Sequence, residues 1–168
     1  VERSAKAFVG RDHQHQLAVA FTLFEQRVRL FGEVLADVDE HLREVRGVLA
    51  AGERLILVDT GFSAPAAHKR QRSFLCPPNQ ALQHFGVAAA DIRDVVITHM
   101  HYDHVGNFDL FPAATFHLQD LEMQFATGRS MGHEPLRQAY DVEDVVGMVR
   151  RVYAGRVRFH SGDTELFP

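Results

Sequence analysis

The sequence predicts an α/β fold in which short strands alternate with helices. The run of β-branched residues from Asp94 to Thr98 is typical of a strand that lies buried in a sheet between layers of helices. A segment that begins at Asp141 instead repeats apolar residues at helical spacing. Because such patterns alternate along 168 residues without an internal repeat, we expect one layered domain.

The composition is that of an ordinary globular domain and argues against several classes of partner. The chain carries 22 acidic and 18 basic residues without a long run of either sign, so no nucleic-acid partner is expected. It has neither a stretch of about 20 apolar residues nor a basic segment followed by an apolar core at the N-terminus, which predicts a soluble, cytoplasmic protein without a membrane partner. Cys76 is the only cysteine, so a metal would be held by histidine and carboxylate.

Residues 1–43 do not follow one clear pattern. Leu17 to Leu23 has the composition of a strand, whereas apolar residues between Phe31 and Val45 recur at helical spacing, and both interpretations stay open. The segments Glu44 to Ala50 and Leu55 to Val58 are apolar and flank a short stretch that contains a glycine. They predict a β-hairpin with a tight turn.

Between the hairpin and the strand that starts at Asp94, the sequence predicts little regular structure. Residues 62–78 are rich in serine, alanine, proline and basic side chains without periodicity, which predicts a surface loop. A short helix is expected over Asn79 to Phe85, with a proline pair at its start and Gly86 in the left-handed position after its end. Asp91 to Arg93 predicts a turn.

The remainder of the chain predicts further alternating elements. In order, they are a helical turn at Gly106 to Phe111, a strand at Thr115 to Leu118, a helix at Asp120 to Ala126, a helix from Asp141 to Gly155, and a strand at Arg156 to His160. Asp141 can cap the second of these helices, and Arg150 and Arg151 complement its negative end. Five valines give it one apolar face: Val142, Val145, Val146, Val149 and Val152.

The residues with chemistry to offer lie between His99 and His104, where the sequence is His-Met-His-Tyr-Asp-His. On extended backbone His99 and His101 point to the same side, because side chains alternate with a period of two, so both can reach one ion. Asp103 and His104 follow where the chain turns and can point to a second position nearby. Four residues of ligand type this close together predict two adjacent metal ions.

A structural cluster without a metal is the main alternative for this segment. It is disfavoured because three imidazoles and a carboxylate packed together would leave polar groups that are hard to satisfy. The other histidines are scattered through polar or amphipathic stretches, and we interpret them as surface or packing residues: His13, His15, His41, His68, His84, His117, His133 and His160.

These motifs resemble a known family. The segment Ile97 to Asn107 resembles the signature loop of the metallo-β-lactamase superfamily, and Leu57 to Gly61 resembles its second landmark. Within the superfamily the sequence is similar to the N-acyl homoserine lactonase-like hydrolases. Further phrases carry that similarity: Leu110-Phe111-Pro112, Phe116-His117-Leu118-Gln119 with Glu122, and Asp144-Val145-Val146-Gly147-Met148. The resemblance covers residues 44–168 and implies an αβ/βα sandwich with metals at the edge of the sheets.

The resemblance implies two zinc ions and a hydrolytic reaction. His99 and His101 would hold the first ion, and Asp103 and His104 the second. Zinc makes bound water nucleophilic near neutral pH and polarises a carbonyl, so the expected substrate is a small lactone or ester, with N-acyl homoserine lactone first. Asp103 could also orient the attacking water. Tyr102 either lines the substrate pocket or packs beneath the loop.

The resemblance also implies two supporting residues that do not coordinate metal. Asp59 matches the aspartate of the second landmark and is expected to hold the ligand loop through hydrogen bonds. The alternative is an ordinary aspartate at a strand end. Gly106 is expected to let the backbone turn close to the metals, although a plain turn glycine is the competing interpretation.

The sequence departs from the family in one large respect. After His104 it shows none of the later metal-binding histidines, and no bridging aspartate, of a complete member. We therefore expect residues 1–168 to form one domain that is the first half of the sandwich, part of a longer protein, and we expect pairing of two copies or partial disorder. Two other functions stay open: thioester hydrolysis of the glyoxalase II kind, and a non-catalytic module that binds metal incompletely.

Overall fold

The structure, a computed structural model, describes residues 6–7, 48–51 and 54–166. The strands in this part are β1 (Lys6–Ala7), β2 (Val48–Ala51), β3 (Arg54–Val58), β4 (Asp94–Val96), β5 (Thr115–Gln119), β6 (Val157–His160) and β7 (Thr164–Glu165). Five of them form one sheet in the order β2-β3-β4-β5-β6, while β1 and β7 pair with each other. The patterns at Leu17 to Leu23 and Phe31 to Val45 lie outside the described residues.

The sheet places the end of β4 between two parallel neighbours. The predicted hairpin is confirmed, since β2 and β3 pair antiparallel with Val48 opposite Leu57. Strands β3, β4, β5 and β6 then run parallel to one another. The ladder ends at Val96, two residues before the predicted strand end at Thr98, and the chain leaves the sheet at its carboxyl edge. In open parallel sheets this edge is where binding sites are built.

Helices connect the parallel strands. The α-helices in the described part are α1 (Ala64–Lys69), α2 (Pro78–Gln83), α3 (Tyr102–Val105), α4 (Asp120–Thr127), α5 (Glu134–Arg137) and α6 (Val142–Tyr153). The expected helices that correspond to α2, α4 and α6 are confirmed, and Gly86 and Gly155 have positive φ angles of 73° and 67°. None of the helices in this part of the chain is long and apolar enough to span a membrane.

The prediction of a loop over residues 62–78 is wrong at its centre, where α1 forms. The hydroxyl of Ser63 accepts a hydrogen bond from the backbone N–H of Ala66, and a proline occupies the first turn. Ala66 and Ala67 are buried. A helix of six residues is too short to show periodicity in its sequence, and tertiary burial of two alanines stabilises it.

One face of the sheet forms the core. In register, Leu57 of β3, Val95 of β4, Phe116 of β5 and Val157 of β6 lie side by side. The first three are fully buried, at 0% exposed. Helical residues cover this face, among them Leu82 of α2, Ala126 of α4 and Met148 of α6. Burying a large aliphatic or aromatic side chain contributes about 1.5 to 3 kcal/mol, so this row stabilises the strand order that positions the histidine segment.

The apolar face of α6 predicted from its valines is only partly the face that packs on the core. Val142 is 64% exposed and Val146 is 36% exposed, whereas Asp144, Gly147 and Met148 are buried. A Cβ atom on Gly147 would lie 2.4 Å from Cζ of Phe108, so the missing side chain lets the helix approach that ring. The helix therefore docks on the core through its smallest residue, which hydrophobic periodicity cannot reveal.

Candidate metal centre

The histidine segment begins just beyond β4 and runs into α3. His99 and His101 are partly buried, and His104 is 3% exposed. The ring centroids of His99 and His104 lie 3.7 Å apart, and those of His99 and His101 lie 4.3 Å apart. The chain thus brings three imidazoles together at the carboxyl edge of the sheet.

Asp59, the residue after β3, lies beneath this cluster. Its carboxylate is buried, and Oδ2 lies 2.7 Å from Nδ1 of His104. Thr98 donates to the same carboxylate from its backbone N–H, at 2.8 Å, and from its hydroxyl. Asp59 adopts a positive φ of 58°, which aspartate tolerates better than most residues. It therefore connects the end of β3 to both ends of the histidine segment.

The contact with Asp59 determines which nitrogen of His104 is available. A carboxylate accepts hydrogen bonds, so Nδ1 of His104 is the donor to Asp59, and Nε2 is the nitrogen with which His104 would bind a metal. Metal-ligating histidines have this arrangement, in which the other ring nitrogen donates to a carboxylate. Oδ2 of Asp103 lies 3.7 Å from that Nε2. An imidazole and a carboxylate at this distance are of the types that can bind one cation together.

The types of the donor residues suit zinc, but their side chains are not arranged as a formed zinc site. In residues 54–166 and the short described strands before them, no group of three or more His, Cys, Asp or Glu side chains is already arranged to hold a metal ion. Burial lowers the pKa of His101 from its usual value, and the charges of Glu122 and Asp103 oppose this shift. Neutral imidazoles and a carboxylate are the ligands that zinc takes in catalytic sites.

The segment after β3 is bonded to the segment that holds the histidines. The backbone N–H of Thr60 donates to the carbonyl of His104 at 2.6 Å. The side-chain amide of Asn107 donates to the carbonyls of Thr60 and Phe62 at 2.8 and 2.7 Å. Asn107 is buried, so these bonds are shielded from water. Residues 59–62 therefore act as a rigid support for α3.

Gly106 allows a close backbone approach between these two segments. Its N–H donates to the carbonyl of Gly61 at 2.8 Å. A Cβ atom at this position would lie 2.6 Å from the backbone nitrogen of Ser63, and 3.0 Å from Cα of Phe62. Its φ is −72°, which any residue can adopt. The glycine is therefore required by close backbone packing and not by a left-handed turn.

A second carboxylate, Glu122 of α4, approaches the segment from the other side. It is 7% exposed, and Oε1 accepts hydrogen bonds from the N–H of Met100 at 2.8 Å and from the hydroxyl of Tyr140 at 3.0 Å. The ring of Tyr140 meets that of His101 edge-on, with centroids 4.9 Å apart. Burial and the charge of Glu122 raise the pKa of Tyr140, so the hydroxyl stays protonated and remains a donor.

Tyr102 packs between two side chains from the segment around α1. The guanidinium of Arg70 lies 3.7 Å from the centre of its ring, and the ring of Phe62 is 6.3 Å away. Its backbone N–H donates to the carbonyl of Ala139 at 2.9 Å. Arg70 and Phe62 therefore pack against the ring, and the role of Tyr102 in lining a substrate pocket stays a prediction.

Several residues of the site were missed by sequence reasoning. Thr98 and Asn107 flank the histidine segment, and their only signal is that they lie within the segment that resembles the family. Glu122 had a weak signal, since it stands in one of the lactonase-like phrases. Tyr140 and Arg70 had none, because an isolated aromatic or basic residue has no local pattern that marks it as a neighbour of a distant loop.

Two histidines interpreted as surface or packing residues belong to a different polar cluster. His117 of β5 is buried, with Nε2 3.1 Å from Oδ1 of Asp94 and Nδ1 2.9 Å from Nε2 of His160. The pairing of β4 with β5 places Asp94 and His117 on the sheet face opposite Phe116. This cluster is separate from the contacts described for the histidine segment.

Comparison with known proteins assigns the family. The model of the metallo-beta-lactamase superfamily matches residues 47–163. A probable metallo-hydrolase of Mycobacterium tuberculosis is 30% identical over 95 residues, which is 49% of this chain and 31% of that protein. Metallo-beta-lactamase domain-containing protein 1 of Xenopus laevis is 57% identical over 35 residues, covering 21% of this chain and 15% of that protein.

Solved structures have the same fold over part of their length. An N-acyl homoserine lactone hydrolase with the product N-hexanoyl-L-homoserine at its catalytic metal centre has a TM-score of 0.56 and 21% identity, covering 72% of this chain and 48% of that one. A probable metal-dependent hydrolase from Staphylococcus aureus has a TM-score of 0.54 and 16% identity, covering 72% and 45%.

The chain thus spans about half the length of these structures, and 31% or less of the two curated relatives. The expected α/β fold of the metallo-β-lactamase type is confirmed by the match of the family model and of the two structures. With its family match extending over most of the chain, this protein belongs to the metallo-β-lactamase superfamily.

Proposed function

We propose that the whole protein is a zinc-dependent hydrolase of a lactone or related ester, with N-acyl homoserine lactones the first substrate class to test. The observation that carries the proposal is the contact of three imidazoles above the buried carboxylate of Asp59. The lactonase-like phrases of the sequence support the choice of substrate. So does the similarity in fold to a hydrolase whose product is an acyl homoserine.

In this proposal His99 and His101 hold one zinc ion, and Asp103 and His104 hold the other. Zinc, when bound, supplies a water of lowered pKa and polarises the carbonyl that is attacked. These four side chains are fewer than two zinc ions take in hydrolases. The remaining positions would be filled by water or by residues outside the described segments.

The chain's own residues have distinct tasks in the reaction. Asp59 accepts the hydrogen bond of His104 Nδ1, so that Nε2 would be the nitrogen that binds a metal. Asp103 is partly exposed, and its second carboxylate oxygen can accept a hydrogen bond from the attacking water and orient it. Tyr102 would hold the loop in place from below and could present its hydroxyl to the substrate.

The four proposed metal ligands do not distinguish between the candidate substrates. Thioester hydrolysis of the glyoxalase II kind would use the same four ligands, and the pocket that chooses between substrates is not formed by them. Pairing of two copies stays a prediction, supported by the exposed Val142 and Val146 on α6.

The decisive experiment measures hydrolysis of N-hexanoyl homoserine lactone by the whole protein. We expect ring opening that stops on chelation and returns with zinc. A protein that ignores lactones and cleaves S-lactoylglutathione would replace the substrate class with thioesters. A protein that binds zinc and cleaves neither would support the non-catalytic alternative. The control is His84→Ala, since His84 is exposed at the end of α2 and should leave activity unchanged.

A further inference from the structure

We propose that Glu122 and Tyr140 together position the imidazole of His101. The inference rests on the proposed role of His101 as a zinc ligand and adds two residues to which neither the family match nor the proposed function assigns a role. The two side chains come from different parts of the chain, α4 and the segment before α6, and they meet at one hydrogen bond.

Glu122 holds the backbone next to His101. Its Oε1 accepts the N–H of Met100, the residue immediately before His101, at 2.8 Å. The carboxylate is buried, and burial of an unpaired charge is costly, so two donors and a position in the first turn of α4 compensate for it. Met100 is 0% exposed and occupies the core. This contact therefore determines where the chain leaves the core toward His101.

Tyr140 holds the ring of His101. The two rings meet at an interplanar angle of 86° with centroids 4.9 Å apart. The hydroxyl of Tyr140 donates to the same Oε1 that Met100 contacts, so one carboxylate oxygen connects the backbone before His101 to the aromatic ring against its imidazole. The ring of Phe125 packs against that of Tyr140, with centroids 6.0 Å apart.

Hydrogen bonds also hold the backbone around Tyr140. Arg70 donates to the carbonyls of Gln138 and Tyr140 at 2.7 and 3.2 Å. The carbonyl of Ala139 accepts a hydrogen bond at 2.9 Å from the backbone N–H of Tyr102, the residue directly after His101. Residues 138–140 are thus bonded to the histidine segment itself. A ring supported in this way can hold a metal ligand within the few tenths of an ångström that coordination requires.

The experiment separates positioning from general stability. In Tyr140→Leu the ring contact is lost, and in Tyr140→Phe the ring remains without its hydroxyl. Outer partners of metal ligands typically contribute about 10- to 100-fold in metal affinity. We therefore expect Tyr140→Leu to weaken zinc binding by roughly that factor, and Tyr140→Phe and Glu122→Gln to weaken it by less. Competition with a chromophoric chelator measures this, and Tyr153→Leu is the control, because Tyr153 is 90% exposed.

The second measurement is ¹⁵N NMR of the histidine rings in metal-free protein. The His101 resonances should shift or broaden in the Tyr140 variants, while those of His104, held by Asp59, should not. Unchanged His101 resonances in Tyr140→Leu would overturn the proposal whatever the zinc affinity. If the parent bound no zinc, the proposed function would fail, and the NMR comparison would still decide this inference. If Tyr140→Leu did not fold, Tyr140→Phe and Glu122→Gln would decide it by the same two measurements.

Discussion

His104 and Asp59 are 45 positions apart in sequence, and their side chains meet at 2.7 Å inside the protein. The pairing exists because β3 and β4 run parallel and end at the same edge of the sheet, one followed by Asp59 and the other by the histidine segment. The contact links the strand order to metal binding, because Asp59 occupies Nδ1 of His104 and so determines that a metal would bind at Nε2.

Asp59→Asn should weaken zinc binding by about 10- to 100-fold and lower the free energy of unfolding by about 1 to 3 kcal/mol. The carboxylate of aspartate has two acceptor oxygens, whereas the amide of asparagine has one. One of the donors on Thr98 or His104 therefore loses its partner. Asparagine tolerates the positive φ at this position, which avoids added backbone strain. Chelator competition and urea unfolding measure the two effects. With Asp91→Asn, an exposed aspartate, as control, parental zinc affinity in Asp59→Asn would contradict the assigned role.

His101→Ala and Asp103→Ala should each lower the zinc content of the 168-residue chain at least about tenfold at limiting zinc, because each removes a proposed ligand. Both side chains are partly buried and lie outside the core, so stability without metal should change little. Elemental analysis after dialysis gives the content. His84→Ala should keep the zinc of the parent, and equal zinc in all three variants would mean that the ligand assignment is wrong.

Gly106→Ala should destabilise the protein by about 2 to 4 kcal/mol. The new Cβ would lie 2.6 Å from a backbone nitrogen at Ser63, and backbone cannot move aside as a flexible side chain can. Gly132→Ala is the matched control, because nothing lies within 4 Å of its Cβ position. Thermal and urea unfolding of the two variants test the prediction. Equal stability would show that residues 61–63 and the histidine segment are less closely packed than described.

Asp144 should make the protein less stable as the pH rises from about 4 to about 7. Burial, aided by the charge of Asp141, raises the pKa of Asp144 from 3.8 to about 7. In the part of the chain that the structure describes, its buried Oδ2 has no hydrogen-bond partner. Because the folded state holds the proton more tightly, this stabilisation is complete below the unfolded pKa and is lost as the pH passes the folded one.

The size of this effect is on the order of 3 kcal/mol. Urea unfolding of the parent and of Asp144→Asn at several pH values isolates it, since other titrating groups are common to both proteins. We expect Asp144→Asn to gain stability relative to the parent as the pH rises, as measured by the difference in their free energies of unfolding. A difference that does not depend on pH would show that Asp144 titrates normally.

The histidine segment, the hairpin and the α/β class followed from the sequence, because each is a local pattern. Short runs of apolar and β-branched residues mark β3 and β4, and ligand-type residues at close spacing mark His99 to His104. The ends of α2 and α6 could also be predicted from local sequence, since they are determined by a proline pair, Asp141 and two glycines with positive φ. None of these features needs knowledge of what lies across the fold.

Which side of α6 is buried, and which residues hold the ligands, were decided only by the tertiary structure. Gly147 faces the core because Phe108 occupies the space that a side chain would need, although the valines of α6 suggested another face. Glu122 and Tyr140 reach His101 from elements 18 positions apart, joined by one hydrogen bond. Local sequence encodes periodicity and turns. Contacts between distant residues depend on the register of parallel strands and on the volume left between them, and both exist only once the chain has folded.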